Sequence, residues 1–402
     1  MQIVVEQLSG VSTADQRIEV VERKGLGHPD SICDAVMEEA ARALSREYRS
    51  MFGTILHHNL DKALLVGGAA ERKFGGGRIT EPMRLIFGDR ATLEAQGRKI
   101  PVEEIVVETA KAWFRRNLRF VDPEKNVSYQ MEIRPGSSEL SNIFAGKKRW
   151  LGANDTSAGV GFAPLTETEA IVLETELHLN SHEFKEQHPE TGEDVKIMAI
   201  RRDRDLQLTV AMPLIDRFIA DEQAYFEIKR AALRAIREIV RSRADAFANI
   251  KISLNTADEK GKGLAGIYLT VTGTSAEHAD SGEVGRGNRV HGLISFNRPT
   301  SLEAAAGKNA VSHIGKIYNL LAHKMAHKIY EEIPGMKDVT ILLVSEIGVP
   351  INRPALAAAK ILMQQRKKFA PVANKIRSTI RHELQHLPEF IEDVLAGKYP
   401  VT

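Results

Sequence analysis

Apolar residues recur at helical spacing in several stretches of the chain. Ile32, Val36, Ala40 and Leu44 share one face and predict a helix over residues 31–46, with Asp30 or Ser31 as its N-cap. A second amphipathic helix is expected over 102–117, with Ile105, Thr109, Ala112 and Trp113 inward. A third, over 166–184, opens with the capping-box pattern Thr166-Glu167-Thr168-Glu169. Longer helices are expected over 221–243 and 302–331, and shorter ones after Pro371. Between them lie strand patterns at 63–68, 127–133, 159–163, 195–200, 206–212, 251–254, 266–272 and 339–345. The charged run Arg201-Arg202-Asp203-Arg204-Asp205 reads as the solvated turn of a hairpin. Strand pairs alternate with long helices about three times, which predicts an α+β protein built from similar units. No repeat of fixed period and no low-complexity linker interrupts it, so the lobes are expected to pack tightly.

Composition narrows the class. The chain has 402 residues, 43% hydrophobic and 27% charged, which suits a soluble globular protein of two or three lobes. A net charge of +2 argues for neither nucleic acid nor an acidic tail, so affinity for polyanions must come from a local cluster. The single cysteine, Cys33, precludes an internal disulfide and fits a reducing cytosol; on the apolar side of the first helix it reads as a small core residue. The N-terminal residues show no signal-peptide pattern, and no apolar run is long enough to cross a membrane.

Five segments carry residues suited to phosphate, metal or nucleotide. Gly25-Leu26-Gly27-His28-Pro29-Asp30 runs into the first helix: the glycines permit close backbone approach, Asp30 is a natural Mg²⁺ ligand and His28 can hydrogen-bond a leaving oxygen. An N-cap aspartate beside an incidental histidine reads equally well. Asn154-Asp155-Thr156-Ser157 precedes Gly159-Val160-Gly161; Asp155 can hold an ammonium or a ribose hydroxyl, or close an Asx-turn. In Asp194-Val195-Lys196, alternation puts Asp194 and Lys196 on one face, either for a nucleotide or as a plain salt bridge. Asp280-Ser281-Gly282-Glu283-Val284-Gly285-Arg286-Gly287 offers backbone N–H groups and a guanidinium fork, but is not a dinucleotide fingerprint. Gly307-Lys308-Asn309, within the predicted 302–331 helix, offers a phosphate lysine or an exposed helical one.

A competing motif, His382-Glu383-Leu384-Gln385-His386, matches the zinc-peptidase pattern H-E-x-x-H. Pro388 ends that helix almost at once, and only Glu389 or Glu392 remains as a third ligand. His323 and His327 form another i, i+4 pair, read as helical packing. A non-catalytic nucleotide-binding module is the other alternative.

Taken in order, Glu22-Arg23-Lys24-Gly25-Leu26-Gly27-His28-Pro29-Asp30-Ser31, Leu64-Leu65-Val66-Gly67-Gly68, Gly136-Ser137-Ser138-Glu139-Leu140, Ala153 to Ser157, Asp194 to Lys196, Asp280 to Arg289 and Ala306-Gly307-Lys308-Asn309 resemble the S-adenosylmethionine synthetase (methionine adenosyltransferase) family, in its archaeal-type branch. The resemblance implies three similar α+β units of antiparallel strands packed with helices, drawn here at 1–134, 135–275 and 276–402 and interleaved in one subunit. It implies synthesis of S-adenosylmethionine from ATP and L-methionine: sulfur attacks C5′, and the triphosphate is then cleaved to phosphate and pyrophosphate. It makes His28, Lys196, Arg286 and Lys308 the catalytic and phosphate-holding residues and Asp30 a Mg²⁺ ligand. Asp194 and Asp280 contact the adenosine and methionine parts, and Asp155 is a candidate for methionine's ammonium group. Gly136, Ser137, Ser138 and Glu139 match a substrate-gating stretch; Asn154, Thr156, Ser157, Gly285 and Asn309 complete the expected binding set. The family also implies a K⁺ site and a cytoplasmic homodimer, or larger assembly, with active sites between subunits. The chain departs from the bacterial branch at Gly287, Ser312 and Ile314, where lysine, lysine and a metal-binding aspartate are usual, and at Ala69, where glutamate is usual. The potassium-site glutamate has no match before Lys62; His57, His58, Asp61, Lys62, Asn309 and His313 are the candidates to replace the missing ligands.

Overall fold

The structure is a computed structural model that describes residues 2–136, 151–278, 280–364 and 369–402. Helix α1 (Pro29–Phe52) is longer than its apolar pattern suggests and is closed by Gly53 in the left-handed conformation (φ +70°). Its N-cap is His28, which precedes Pro29 at the first helical position, so Asp30 and Ser31 lie inside the first turn. Helix α2 (Val102–Asn117) has the expected bounds, but its buried face runs through Val102, Val106, Ala110, Trp113 and Phe114, and Ala112 is exposed. The expected 166–184 helix is two: α3 (Glu167–Leu179), with the capping box formed, and α4 (His182–Gln187), restarted by Ser181. Helix α5 (Glu222–Arg241) is capped by Asp221. Helix α6 (Ile314–Glu332) begins twelve residues later than expected, because Gly307 turns the chain with φ +76° and Leu60 N–H bonds its carbonyl at 2.9 Å. Helices α7 (Phe369–Gln385) and α8 (Leu387–Leu395) end the chain.

Three sheets share one plan, and together they bear out an α+β fold. In the first, strands Ala63–Val66 and Met83–Phe87 pair antiparallel, and Val127–Met131 returns through α2 to lie parallel to the second. In the second, hairpin Lys196–Arg202 and Asp205–Ala211 is followed by α5 and by Asn249–Leu254, parallel to Asp205–Ala211. In the third, Met336–Val344 and Leu356–Met363 form the antiparallel pair, and the parallel strand is the N-terminal Ile3–Leu8. Each sheet is therefore mixed rather than wholly antiparallel. A helix precedes each hairpin: α1, α3 and α6 respectively. Each sheet is extended on the hairpin's other side by a strand from elsewhere: Gly282–Glu283, Ile18–Lys24 and Ala158–Ala163. These exchanges stitch the units into one body and cover sheet edges that would otherwise be open.

The largest core joins α1, α2, α6 and α7 with the first and third sheets; a second lies between α3, α5 and the second sheet. Strand Ala158–Ala163 packs directly on α6. A Cβ added at Gly159 or Gly161 would collide with the α6 backbone at Tyr318–Asn319 or Ala322–His323. The glycine-rich pattern is thus a close helix–strand approach. Gly161→Ala is expected to lower unfolding stability by about 2–3 kcal/mol or more, because backbone cannot yield as a side chain can; urea denaturation of the purified variant measures it.

Candidate functional site

Strand Ile18–Lys24 pairs antiparallel with Lys196–Arg202 in a register that sets Lys24 opposite Lys196. The chain then leaves the sheet along residues 193–195. Gly25 N–H donates to Val195 O at 2.5 Å and Gly27 N–H to Glu193 O at 2.9 Å. A Cβ on either glycine would collide with that backbone. The two glycines therefore serve a chain–chain contact rather than the approach of a ligand.

That contact aims the start of α1. Asp30 N–H donates to His28 Nδ1 at 3.1 Å, which leaves Nε2 as the protonated ring nitrogen of the neutral imidazole. Burial pushes the His28 pKa down to about 4 despite the opposing pull of Asp30, and Lys24, Lys196 and Asp280 also act on the ring. His28 is thus a neutral hydrogen-bond donor at pH 7. Asp30 Oδ2 accepts from Lys24 Nζ at 2.9 Å, and Oδ1 accepts the Glu283 N–H at 2.9 Å.

Asp194 lies just before its strand and turns inward, whereas the Lys196 side chain is 42% exposed, so the two do not share one face. Asp194 Oδ2 accepts from Ser275 N–H at 2.9 Å and Tyr268 Oη–H at 3.4 Å, and burial pushes its carboxyl up to about 6. Ser275 Oγ donates to Asp280 Oδ2 at 2.9 Å. Lys196 Nζ sits 3.3 Å from Glu22 Oε1. His28, Asp30, Lys196, Asp194 and Asp280 thus form one neighbourhood.

The loop from Asp280 links that neighbourhood to a cleft of about 730 Å³ lined by Asp61, Lys62, Ser157, Gly285, Arg286, Glu303 and Lys308, among others. The Arg286 carbonyl accepts from Lys24 Nζ at 2.5 Å while its side chain borders the cleft. Lys308 lies on the turn before α6, not within a helix. Only 3% exposed, its Nζ reaches Glu303 Oε2 at 2.6 Å and Asp61 Oδ2 at 3.1 Å. Burial and the adjacent Asp61 push Asp89 up to about 7; for Asp61, the Asp89 hydrogen bond and the charges of Lys308 and Lys62 outweigh burial and hold it low.

The remaining expected residues lie around this frame. Asn309 is buried, donating to His58 O at 3.0 Å and accepting from Ser312 N–H at 2.9 Å. Gly136 lies against the His57 ring. Asn154 Oδ1 accepts the Ile314 N–H at 3.2 Å, and exposed Asp155 accepts the Thr156 N–H at 2.7 Å. Thr156 Oγ1 accepts from Ile347 N–H at 3.0 Å. Ser137, Ser138 and Glu139 lie outside the described residues. At the competing motif, buried Glu383 is ion-paired with Lys324 and Lys328 of α6 at 2.7 Å each, while His382 and His386 stack on the surface. Glu383 holds α6 and α7 together, with a lysine on each of its two oxygens.

Among the described residues no group of three His, Cys, Asp or Glu side chains could hold a metal ion. Asp30 offers one carboxylate, already bonded on both oxygens. That donor set fits a Mg²⁺-type ion delivered with substrate phosphates rather than one caged by protein. Sequence reasoning missed Lys24, Asp34, Ser275 and Tyr268. Lys24 directly precedes the Gly25-Leu26-Gly27-His28 string, and Asp34 follows Asp30 by four residues on one helix face, a spacing the sequence shows. Ser275 and Tyr268 had no local signal.

The buried Asp194 titrates with a defined sign. Its raised pKa means that its contribution to stability is fully present below pH 4 and is lost as pH rises through about 6. The stability of Asp194→Asn relative to wild type should rise between pH 4 and 7 by up to about 3 kcal/mol, read from urea midpoints across that range.

Comparisons with known proteins bear on this site. The model of the S-adenosylmethionine synthetase family matches residues 1–398. An S-adenosylmethionine synthase of Hyperthermus butylicus is 44% identical over 407 residues, covering 99% of both chains. One of Saccharolobus solfataricus is 45% identical and one of Methanothermobacter thermautotrophicus 42%, each covering 98% of both chains. Among solved structures, an unusual S-adenosylmethionine synthetase from Campylobacter jejuni superposes with a TM-score of 0.59 at 14% identity, covering 91% of this chain and 89% of that one, a likeness of fold.

Proposed function

The chain belongs to the S-adenosylmethionine synthetase family and makes S-adenosylmethionine from ATP and L-methionine, and we propose that its two linked neighbourhoods divide that work. His28 Nε2–H donates to the C5′ oxygen as it leaves with the triphosphate. Lys196 lies beside it for the same polyanion. Arg286 and Lys308 hold the phosphate chain from the cleft, with Lys308 exchanging a carboxylate partner for phosphate oxygen. Methionine's sulfur bears no proton, so its attack on C5′ needs no general base; alignment and electrostatic stabilisation of the leaving group supply the rate. That suits a neutral His28 flanked by lysines. Asp280 and Asp194, joined through Ser275, are assigned to the adenosine and methionine parts, and Asp155 to the methionine ammonium. Water then cleaves the retained triphosphate to phosphate and pyrophosphate.

Family members use divalent metal ions; Asp30 would hold Mg²⁺ here, which neutralises charge on the phosphate oxygens when bound. A K⁺ requirement belongs to the same reading. The protein is read as a cytoplasmic homodimer, or a larger assembly, with active sites at the subunit interface. Leu64 and Val66, exposed on the outer face of the first sheet, and Leu302, 93% exposed at the cleft, support a partner surface. Among the described residues no helix is long and apolar enough to cross a membrane.

The observation that carries this division is the single loop that bonds Asp30 at Glu283 and borders the Lys308 cleft at Arg286. With ATP, L-methionine and Mg²⁺ the protein should release S-adenosylmethionine, phosphate and pyrophosphate in equal amounts, and chelation should abolish turnover while the circular dichroism spectrum is kept. Product without stoichiometric pyrophosphate would remove the proposed second step. Lys196→Ala and Arg286→Ala should each lower kcat by roughly 10²-fold or more, with thermal midpoints close to wild type. Unfolded variants with unchanged specific kinetics of the folded fraction would instead make both residues structural.

A further inference from the structure

We propose that Asp34 is a positioning residue that presents Arg286 to the phosphates, a proposal that rests on the phosphate reading of Arg286 given above. Asp34 lies one helical turn beyond Asp30, on the same face of α1. It is 2% exposed and has no ion-pair partner within 4.0 Å among the described residues. A buried carboxylate in that position is costly unless hydrogen bonds are aimed at it. Here the donor is the main-chain amide just before Arg286: Gly285 N–H donates to Asp34 Oδ1 at 2.7 Å, while Asp34 Oδ2 faces the Gly287 main chain, whose amide also favours the charged carboxylate. Burial nevertheless pushes Asp34 up to about 7, against the pull of those amides and of Arg289.

The carbonyls of the same two glycines are held from the other side. Arg289 Nη2 donates to Gly285 O at 2.5 Å and to Gly287 O at 3.0 Å. Arg286 O accepts from Lys24 at 2.5 Å, and its N–H donates to Glu283 O at 3.3 Å. Both main-chain polar groups of Gly285 and of Arg286, and the Gly287 carbonyl, are thereby tied to a side chain or a neighbouring turn. Gly285 has φ +86°, a left-handed conformation natural to glycine. Gly287 has no room for a side chain, since a Cβ there would fall inside the van der Waals surface of Asp34 Oδ2. Glycines on both sides would leave Arg286 free to wander; the Asp34 and Arg289 grip removes that freedom before substrate arrives. Asp30 bonds the same loop at Glu283, so the proposed metal ligand and the phosphate arginine are registered by adjacent turns of one helix.

The test is calorimetric titration of the full-length protein with Mg²⁺ and inorganic tripolyphosphate. Asp34→Asn keeps shape and one acceptor but turns an amide donor towards Gly287. It should weaken tripolyphosphate binding roughly tenfold, with Asp34→Ala weaker still. In an Arg286→Ala background the same Asp34→Asn change should cost less than about twofold, because nothing remains to position. A structural staple alone would give effects that multiply, and that result, or wild-type binding by Asp34→Asn, overturns the proposal. If Arg286→Ala alone binds like wild type, the phosphate reading of Arg286 fails and this proposal with it. Gly287→Ala is the second variant: it keeps the Asp34 carboxyl group but pushes it off the loop, and it should reproduce the Asp34→Asn loss if the grip is what matters. Wild-type tripolyphosphate binding by a folded Gly287→Ala protein counts against the grip.

Discussion

The first two turns of α1 are the constraint on which the site depends. Asp30 and Asp34 project from the same face, and each accepts an amide of the 282–287 loop. That loop cannot sit elsewhere, because Gly282 packs against the Pro29 main chain and Gly287 against Asp34. On the other side, Gly25 and Gly27 press the entry to α1 onto residues 193–195. Two distant segments, 193–195 and 282–287, are therefore fixed relative to one helix N-terminus by hydrogen bonds of main-chain groups, whose geometry tolerates little drift. The positive end of the helix dipole and Lys24, Lys196 and Arg286 all lie within this frame. Such a concentration of positive potential is costly without a counter-charge and is met by Glu22 and Asp30 in the free protein.

The wider fold explains why these segments meet. Each of the three units supplies a helix, a hairpin, a second helix and a strand parallel to the hairpin, and each borrows strands from elsewhere on the hairpin's other side, one in the first and third sheets and two in the second. Strand Ile18–Lys24 belongs to the second sheet although α1, which follows it, covers the first. The His28 segment is the crossing between those two sheets. Strand Gly282–Glu283 makes the reverse crossing, pairing with Ala63–Val66 before Ile294–Ser295 joins Ile18–Lys24. The site residues thus collect where the chain passes from one sheet to another. At such crossings backbone is held by neighbours instead of by its own ladder, and polar groups are available for ligands.

Much of this could be read locally. The apolar period bounds helix α2, the capping box starts α3, and the charged 201–205 run marks a hairpin turn about Asp203 (φ +51°), except that Arg201 is buried on the strand and ion-paired with Glu19 at 3.0 Å. The errors have local causes too. Residues 302–313 contain alanine and leucine, which favour helix, but Gly307 and the bonds to Leu60 hold them as a turn. Strand Leu356–Met363 carries three consecutive alanines and was not recognised, since its strand character comes from pairing on both sides with Ile3–Leu8 and Met336–Val344. Ala112 was assigned inward, one position off the face that Phe114 and Ala110 actually bury.

Local sequence determined where α2, α3 and α5 begin and which side chains can carry phosphate chemistry, because capping, periodicity and residue type act over a few positions. His28, Asp30, Lys196, Arg286 and Lys308 were all nameable on those grounds. Which of them share a neighbourhood, that His28 is neutral, and that the glycines of the first string serve a chain contact were decided by tertiary structure alone. Burial and long-range main-chain hydrogen bonds set those properties, and both depend on residues more than a hundred positions away.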